Sequence, residues 1–185
     1  MIPESENMNK QPEITDKTRQ RFVDVFCELY AKMPIEKISI QKLTKLAGYN
    51  RSTFYHYFED IYELLEYVEN DLLTYVRQSL EKRNINTPQH IYELFEAKEL
   101  EVKALLGKYG NIRFLEKIKE EFNIKEVYTE MISDTSIMPY LLEFHISTSL
   151  TLFHLWLNRE KDLPSEKLFS LIHDLYSKGV SAYIQ

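Results

Sequence analysis

The sequence predicts an all-α protein, with three short N-terminal helices ahead of a longer helical bundle and about nine helices in total. Three observations predict it. There are only 4 glycines and 6 prolines in 185 residues. That is too few for the turns of a sandwich or barrel, and the scattered glycines exclude both a dinucleotide-binding fingerprint and a P-loop. Apolar residues recur at intervals of three and four along most of the chain, and no run alternates as a strand would. The composition, 44% apolar and 28% charged, is ordinary for a soluble globular protein. The length suits one compact unit, or two small ones sharing a core.

Residues 1–14 are polar and aperiodic, which predicts a mobile tail. From Thr15, the stripe Phe22, Val25, Phe26, Leu29 and Tyr30 predicts a helix ended by Pro34. Cys27 lies beside that stripe and is expected to fill the interior. Ser39 is a natural cap for a short helix, and Gly48 suits the left-handed turn at its end. Asn50 caps a second short helix predicted over Arg51–Phe58. Two helices of about two turns joined through a glycine outline a helix-turn-helix. Phe54 and Phe58, four apart, are expected to pack on Leu43, Leu46 and Ala47.

Asp60 is expected to cap a long helix carrying Ile61, Leu64, Leu65, Val68, Leu72, Val76 and Leu80, up to about Arg83. Residues 84–87 read as a loop, and Pro88 fits a first helical position. A helix follows over residues 88–106 with a break near Ala97, then a turn framed by Gly107 and Gly110. Asn111 caps a helix with Phe114, Leu115, Ile118 and Phe122 that runs to about Ile132. After a polar loop at 133–136, residues 139–158 are apolar nearly all round, which predicts a helix central in a core or a subunit interface. The segment 161–164 reads as a turn. Ser165 is expected to cap the last helix, striped by Leu168, Leu171, Ile172, Leu175, Gly179, Val180 and Tyr183.

Charge is unevenly spread. The whole chain carries −6, yet residues 15–58 sum to +4, and no acidic residue occurs between Lys37 and Phe58. A basic N-terminal lobe on an acidic body fits a local polyanion site, or a chance cluster on a solvated face. The single cysteine excludes an internal disulfide and a zinc cluster, and it fits a reducing, cytoplasmic setting. No signal-peptide pattern opens the chain. The most apolar stretch, residues 138–157, holds Glu143, His145 and His154, which makes it a poor membrane span.

Residues 39–58, SIQKLTKLAGYNRSTFYHYF, resemble the DNA-binding segment of the tetracycline-repressor (TetR) family. The resemblance rests on Ser39, Leu43, Ala47-Gly48-Tyr49, Asn50 and Thr53-Phe54-Tyr55-His56-Tyr57-Phe58. It is specific over residues 15–70 and architectural beyond them. Residues 104–107 and 114–115 also resemble one subgroup of that family's C-terminal domains. The resemblance implies a homodimeric transcriptional regulator, by default a repressor, acting on a palindromic operator. It implies a helix-turn-helix domain over residues 15–59 and a dimerisation and effector domain over residues 60–185. The last two helices would dimerise, and a small apolar effector would release the DNA. The chain departs from the family's pattern at Ile61, where a phosphate-contacting Lys is usual. Glu59 and Asp60 precede it, which lowers the expected affinity.

The residues themselves point the same way. With Phe54 and Phe58 turned inward, the opposite face of the helix shows Arg51, Ser52, Tyr55 and His56, with Thr53 at its border. Such a face suits the major groove. Arg51 can hold guanine O6 and N7 together. Ser52 and Thr53 are short enough to bring the helix start against a phosphate. Tyr55 can donate to a phosphate or pack on a thymine methyl. Gln41 can reach a base or phosphate from the groove edge, while Lys17, Arg19 and Lys42 are candidates for the backbone.

No metal, cofactor or catalytic site is expected, and the chain is read as a non-enzyme. The five histidines are scattered, and no nucleophile motif stands out. Trp156 reads as core. The acidic runs at Glu99–Glu101 and Lys117–Lys125 read as solvated helix faces. The expected partners are double-stranded DNA, a second copy of the chain and a small apolar effector, with no membrane. The competing reading is a TetR-like interaction module with weakened DNA contacts.

Overall fold

A computed structural model describes residues 12–82, 93, 96–121 and 136–179. Those residues form eight α-helices and one 3-10 turn, with no strand among them: α1 Pro12–Tyr30, the turn Ile35–Lys37, α2 Ile40–Ala47, α3 Arg51–Tyr55, α4 Ile61–Lys82, α5 Glu99–Leu106, α6 Ile112–Glu121, α7 Met138–Asn158 and α8 Ser165–Ser177. The expected tail at 1–11, the loop and Pro88 at 84–88, the continuation from Phe122 to Ile132, and Val180 and Tyr183 lie outside the described residues. At 12–14 the chain is already helical, so α1 begins three residues before Thr15.

The predicted signals act at most helix ends. Ser39 Oγ accepts from the Lys42 amide at 3.2 Å, and Gly48 takes φ +81° at the end of α2. That region is strained for any residue with a Cβ. Asp60 Oδ1 accepts from the amides of Tyr62 and Glu63 at 2.7 and 2.9 Å, closing the start of α4. Asn111 does the same for Arg113 at 3.0 Å. The helix expected to break near Ala97 turns at Lys98, just before α5. At the last helix the expectation fails. Pro164 is the capping residue and makes no side-chain cap, and Ser165 is already inside α8.

One apolar core runs through the described residues, from Phe22 and Phe54 to Phe153 and Ile172. Its hub is α5, which packs on α1, α4, α6 and α7 and buries Glu101, Val102, Ala104, Leu105 and Leu106. The sequence predicted α7 for a place central in a core or in a subunit interface. Within α7 the buried residues lie in its C-terminal half, Leu150, Phe153, Trp156 and Leu157. Its N-terminal half leaves Tyr140 77% and Phe144 59% exposed. Mean hydropathy does not tell a helix central in its own chain from one that offers a face to another molecule.

A second correction concerns α2. Leu46 is 52% exposed rather than packed under Phe54 and Phe58. Leu43, Thr44 and Ala47 form the buried arc instead. At about 100° per residue, Leu46 falls roughly 110° from the centre of that arc. Thr44 takes the inner place because its Oγ1 donates to the Ile40 carbonyl at 2.9 Å, which removes the cost of burying a hydroxyl. The acidic run at Glu99–Glu101 is also not a solvated face throughout, since Glu101 is buried.

These two packing assignments are separable by mutation. Phe22→Ala should destabilise the fold by about 3–5 kcal/mol, as for a fully buried phenyl group. Leu46→Ala should stay within about 0.5 kcal/mol, as for a surface change. Urea denaturation followed by circular dichroism checks both. Equal destabilisation by the two would return Leu46 to the core.

Candidate nucleic-acid interface

The candidate surface is built around α3, a helix of five residues. A helix this short does not persist alone in water, so its position is set by packing and capping. Phe54, fully buried, meets Phe22 of α1 edge-on, with ring centroids 5.5 Å apart. Phe58, also buried, lies 5.7 Å from Phe54. The expected helix to Phe58 ends earlier, at Tyr55, but the Phe58 amide still donates to the Phe54 carbonyl at 3.0 Å. That bond turns Phe58 onto the same face. The result is one aromatic wall against α1, completed by Tyr49 and Tyr57 at 5.4 and 6.1 Å from Phe22.

With that face fixed, Arg51, Ser52, Tyr55 and His56 are exposed and Thr53 is half-buried at the border, as the spacing predicts. Asn50 organises the helix start. Its Oδ1 accepts from the Thr53 amide at 2.8 Å, from Thr53 Oγ1 at 2.8 Å and from Ser52 Oγ at 2.7 Å. Both hydroxyl protons are therefore spent within the cap. What Ser52 and Thr53 offer outward is small size and lone pairs, not a free donor.

The structure brings together two residues that the sequence treated separately. Arg51 Nη2 donates to Gln41 Oε1 at 3.3 Å, bridging the starts of α3 and α2. Lys42, beside Gln41, is exposed, with Nζ 3.5 Å from Met33 Sδ. Lys17 on α1 is exposed, as are Lys37 and Lys45, two cations the sequence reading did not single out. The absence of any acidic residue between Lys37 and Phe58 was the signal that could have marked them. No described contact places Lys17 against α3.

Other cations of this lobe have structural work. Arg19 lies 5.7 Å over the Tyr57 ring and 5.9 Å from that of Tyr67, and it pairs with Asp16 at 3.2 Å. It ties α1 to α4 and is less free for phosphate than the sequence implied. Arg21 Nη2 donates to the Leu46 carbonyl at 3.3 Å, covering an open acceptor at the end of α2. The departures at 59–61 are absorbed locally. Ile61 is buried, Asp60 caps α4, and Glu63 accepts from the Glu59 amide.

In the body, a concavity of about 260 Å³ lies between α7 and α8, lined by residues that include Phe144, Leu152, Ile172 and Tyr176. His154 donates from Nδ1 to the Leu106 carbonyl at 2.6 Å, and its Nε2 lies 2.8 Å from Asn158 Nδ2, so it joins α7 to the end of α5. His145 stacks on Tyr176 at 3.8 Å, and burial lowers its pKa. Burial, with the charge of Glu101 second, pushes the Cys27 thiol far above its ordinary range, which fits an inert filler. Among the described residues, no helix is long and apolar enough to cross a membrane.

Residues 23–68 match the sequence model of the bacterial regulatory proteins of the tetR family. That span holds α2 and α3 entire. The fold as a whole is similar to a crystal structure of a tetR-family transcriptional regulator from Streptomyces coelicolor. That likeness has a TM-score of 0.60 and 16% identity, over 90% of this chain and 82% of the other. No curated protein matches the chain. The chain thus carries an N-terminal segment similar to that of the tetR family, on a fold similar to that of a tetR-family regulator.

Proposed function

We propose that this chain is a DNA-binding transcriptional regulator, a repressor that acts as a homodimer on a palindromic operator. The observation that carries the reading is α3, which the Phe54–Phe22 contact fastens with Arg51, Tyr55 and His56 on its outer face. A face of this kind enters the major groove. Arg51 reads guanine, its fork steadied by Gln41, and Tyr55 and His56 contact an adjacent base or phosphate. Ser52 and Thr53 set how closely the helix start approaches the backbone. Lys17 and Lys42 neutralise phosphates without reading sequence. The domain division is a reading head at 15–59 and a body at 60–185.

Two copies are needed to reach two half-sites, which in simple cases lie about 34–36 Å apart. The exposed apolar residues Ile137, Tyr140, Leu141, Phe144 and Leu155 support a dimer face on α7, with α8 packed beside it. The concavity between these helices is where a small apolar effector would bind, near the lower size limit for ligand pockets. Its binding would favour release from DNA through a change in head separation.

Arg51→Ala should cost roughly 1–3 kcal/mol of specific binding and relax preference at one base pair in each half-site. Lys17→Ala and Lys42→Ala should weaken all sequences alike and make the salt slope shallower by about one for each phosphate no longer neutralised. Binding to single-base variants of the chain's own upstream DNA, at two salt concentrations, checks both. Unchanged base preference in Arg51→Ala removes it as a reader. Absence of salt-dependent binding by the parent would favour the interaction-module reading.

Phe144→Glu should leave the single chain folded, since the side chain is exposed there, yet give monomers. Burying an unpaired carboxylate in an interface costs several kcal/mol. Sedimentation of the variant checks this, and an unchanged dimer would move the interface elsewhere.

A further inference from the structure

The contact between α4 and the body is charged where most of the interior is apolar. Glu69 is 5% exposed in its side chain and sits beside Val68 on the inner face of α4. Lys117 of α6 donates to its Oε2 at 2.7 Å. Two residues along α4, Asp71 Oδ2 accepts from Lys98 Nζ at 2.9 Å. The same ammonium donates to Glu101 Oε1 of α5 at 3.1 Å and lies 5.5 Å over the Tyr75 ring. Burial works against the Lys98 charge, but the bonds to Asp71 and Glu101 outweigh it and hold its pKa above the ordinary value. Glu69 also faces α1: after burial, its charge is the next cause raising the pKa of Tyr30. Two cations of the body, one before α5 and one on α6, thus grip two carboxylates of α4.

An apolar contact is non-directional and tolerates sliding. A buried carboxylate does not, because any movement that parts it from its cation leaves an unpaired charge inside the protein. The Glu69–Lys117 pair therefore resists both axial and rotational slip of α4 on the body, and the half-exposed Asp71, bonded to Lys98, adds a weaker restraint. The start of α4 is bound to the α3 side by Tyr67, which meets Phe58 at 5.5 Å. From Glu69 to Ile61 is about 12 Å of helix at 1.5 Å per residue, so a tilt at Glu69 is carried to α3.

We propose that the pair Glu69–Lys117 and the cluster Asp71–Lys98–Glu101 are positioning residues that set the separation of the two α3 helices, and with it the half-site spacing the dimer prefers. The proposal rests on the dimeric DNA-binding reading above and deepens it. The test uses the full chain and a series of duplexes whose half-sites are moved apart one base pair at a time. Each variant is first checked for folding by thermal denaturation.

Lys117→Met should weaken binding at the parent's best spacing by about fivefold or more, the lower end of ordinary coupling between sites. Its preferred spacing should broaden or shift. Affinity for an isolated half-site and the salt slope should stay as in the parent, and Lys117→Arg should keep the parent's profile. Glu69→Gln should behave as Lys117→Met does. If Lys117→Met, which leaves Glu69 without its cation, fails to fold, Glu69→Gln decides in its place, because it buries no charge. An unchanged spacing profile in Lys117→Met overturns the proposal. So does an equal loss of affinity at every spacing and at the isolated half-site, which is what a merely structural role would give. A parent that binds no DNA specifically would sink the functional reading itself, and that result is visible before any variant is made.

Discussion

The placement of α3 depends most on one contact, the edge of Phe54 against Phe22 at 5.5 Å. A five-residue helix has too few internal hydrogen bonds to offset the entropy of ordering it. The aromatic contact supplies the missing energy and also sets the rotation of α3 about its own axis. Once Phe54 points inward, Arg51, Tyr55 and His56 must point outward. Asn50 completes the arrangement by accepting three donors on one oxygen. Position comes from apolar burial, and the polar groups left over become available for recognition.

The same division recurs at larger scale. α1 carries Phe22 for α3, and it also packs along α5, the hub of the body. α4 leaves the lobe through its Asp60 cap and enters the body between Lys98 and Lys117. The basic lobe therefore does not hang on a loose linker. It is joined to the acidic body by one apolar core and one set of ion pairs, so a displacement in the body has a rigid route to α3. The N-terminal half of α7 leaves Tyr140, Leu141 and Phe144 exposed.

Much of this was written locally in the sequence. Ser39, Gly48, Asn50, Asp60 and Asn111 act on backbone groups within three residues, and the inward face of α3 follows from the four-residue spacing of Phe54 and Phe58. What was hidden depends on neighbours far along the chain. Leu46 looks like core until Thr44 bonds its own backbone and takes the inner place. Lys117 looks like a solvated charge until Glu69 meets it across 48 residues of chain, and Glu101 does until Lys98, held to Asp71 across 27 residues, bonds it. Gln41 and Arg51 each read as a separate contact, and only the crossing of α2 and α3 makes them a pair. The role of α7 was half visible, because apolarity all round states that a helix will be covered without stating by what.

If the outer face of α3 meets DNA in a sequence-dependent way, it must do so twice per particle. Hydroxyl-radical footprinting of the full chain on the DNA upstream of its own coding region reads both properties at once. Two protected segments related by twofold symmetry are expected, both fading as salt is raised. Each should blur with Arg51→Ala. Uniform protection without register, or none at low salt, would contradict a reading role for α3.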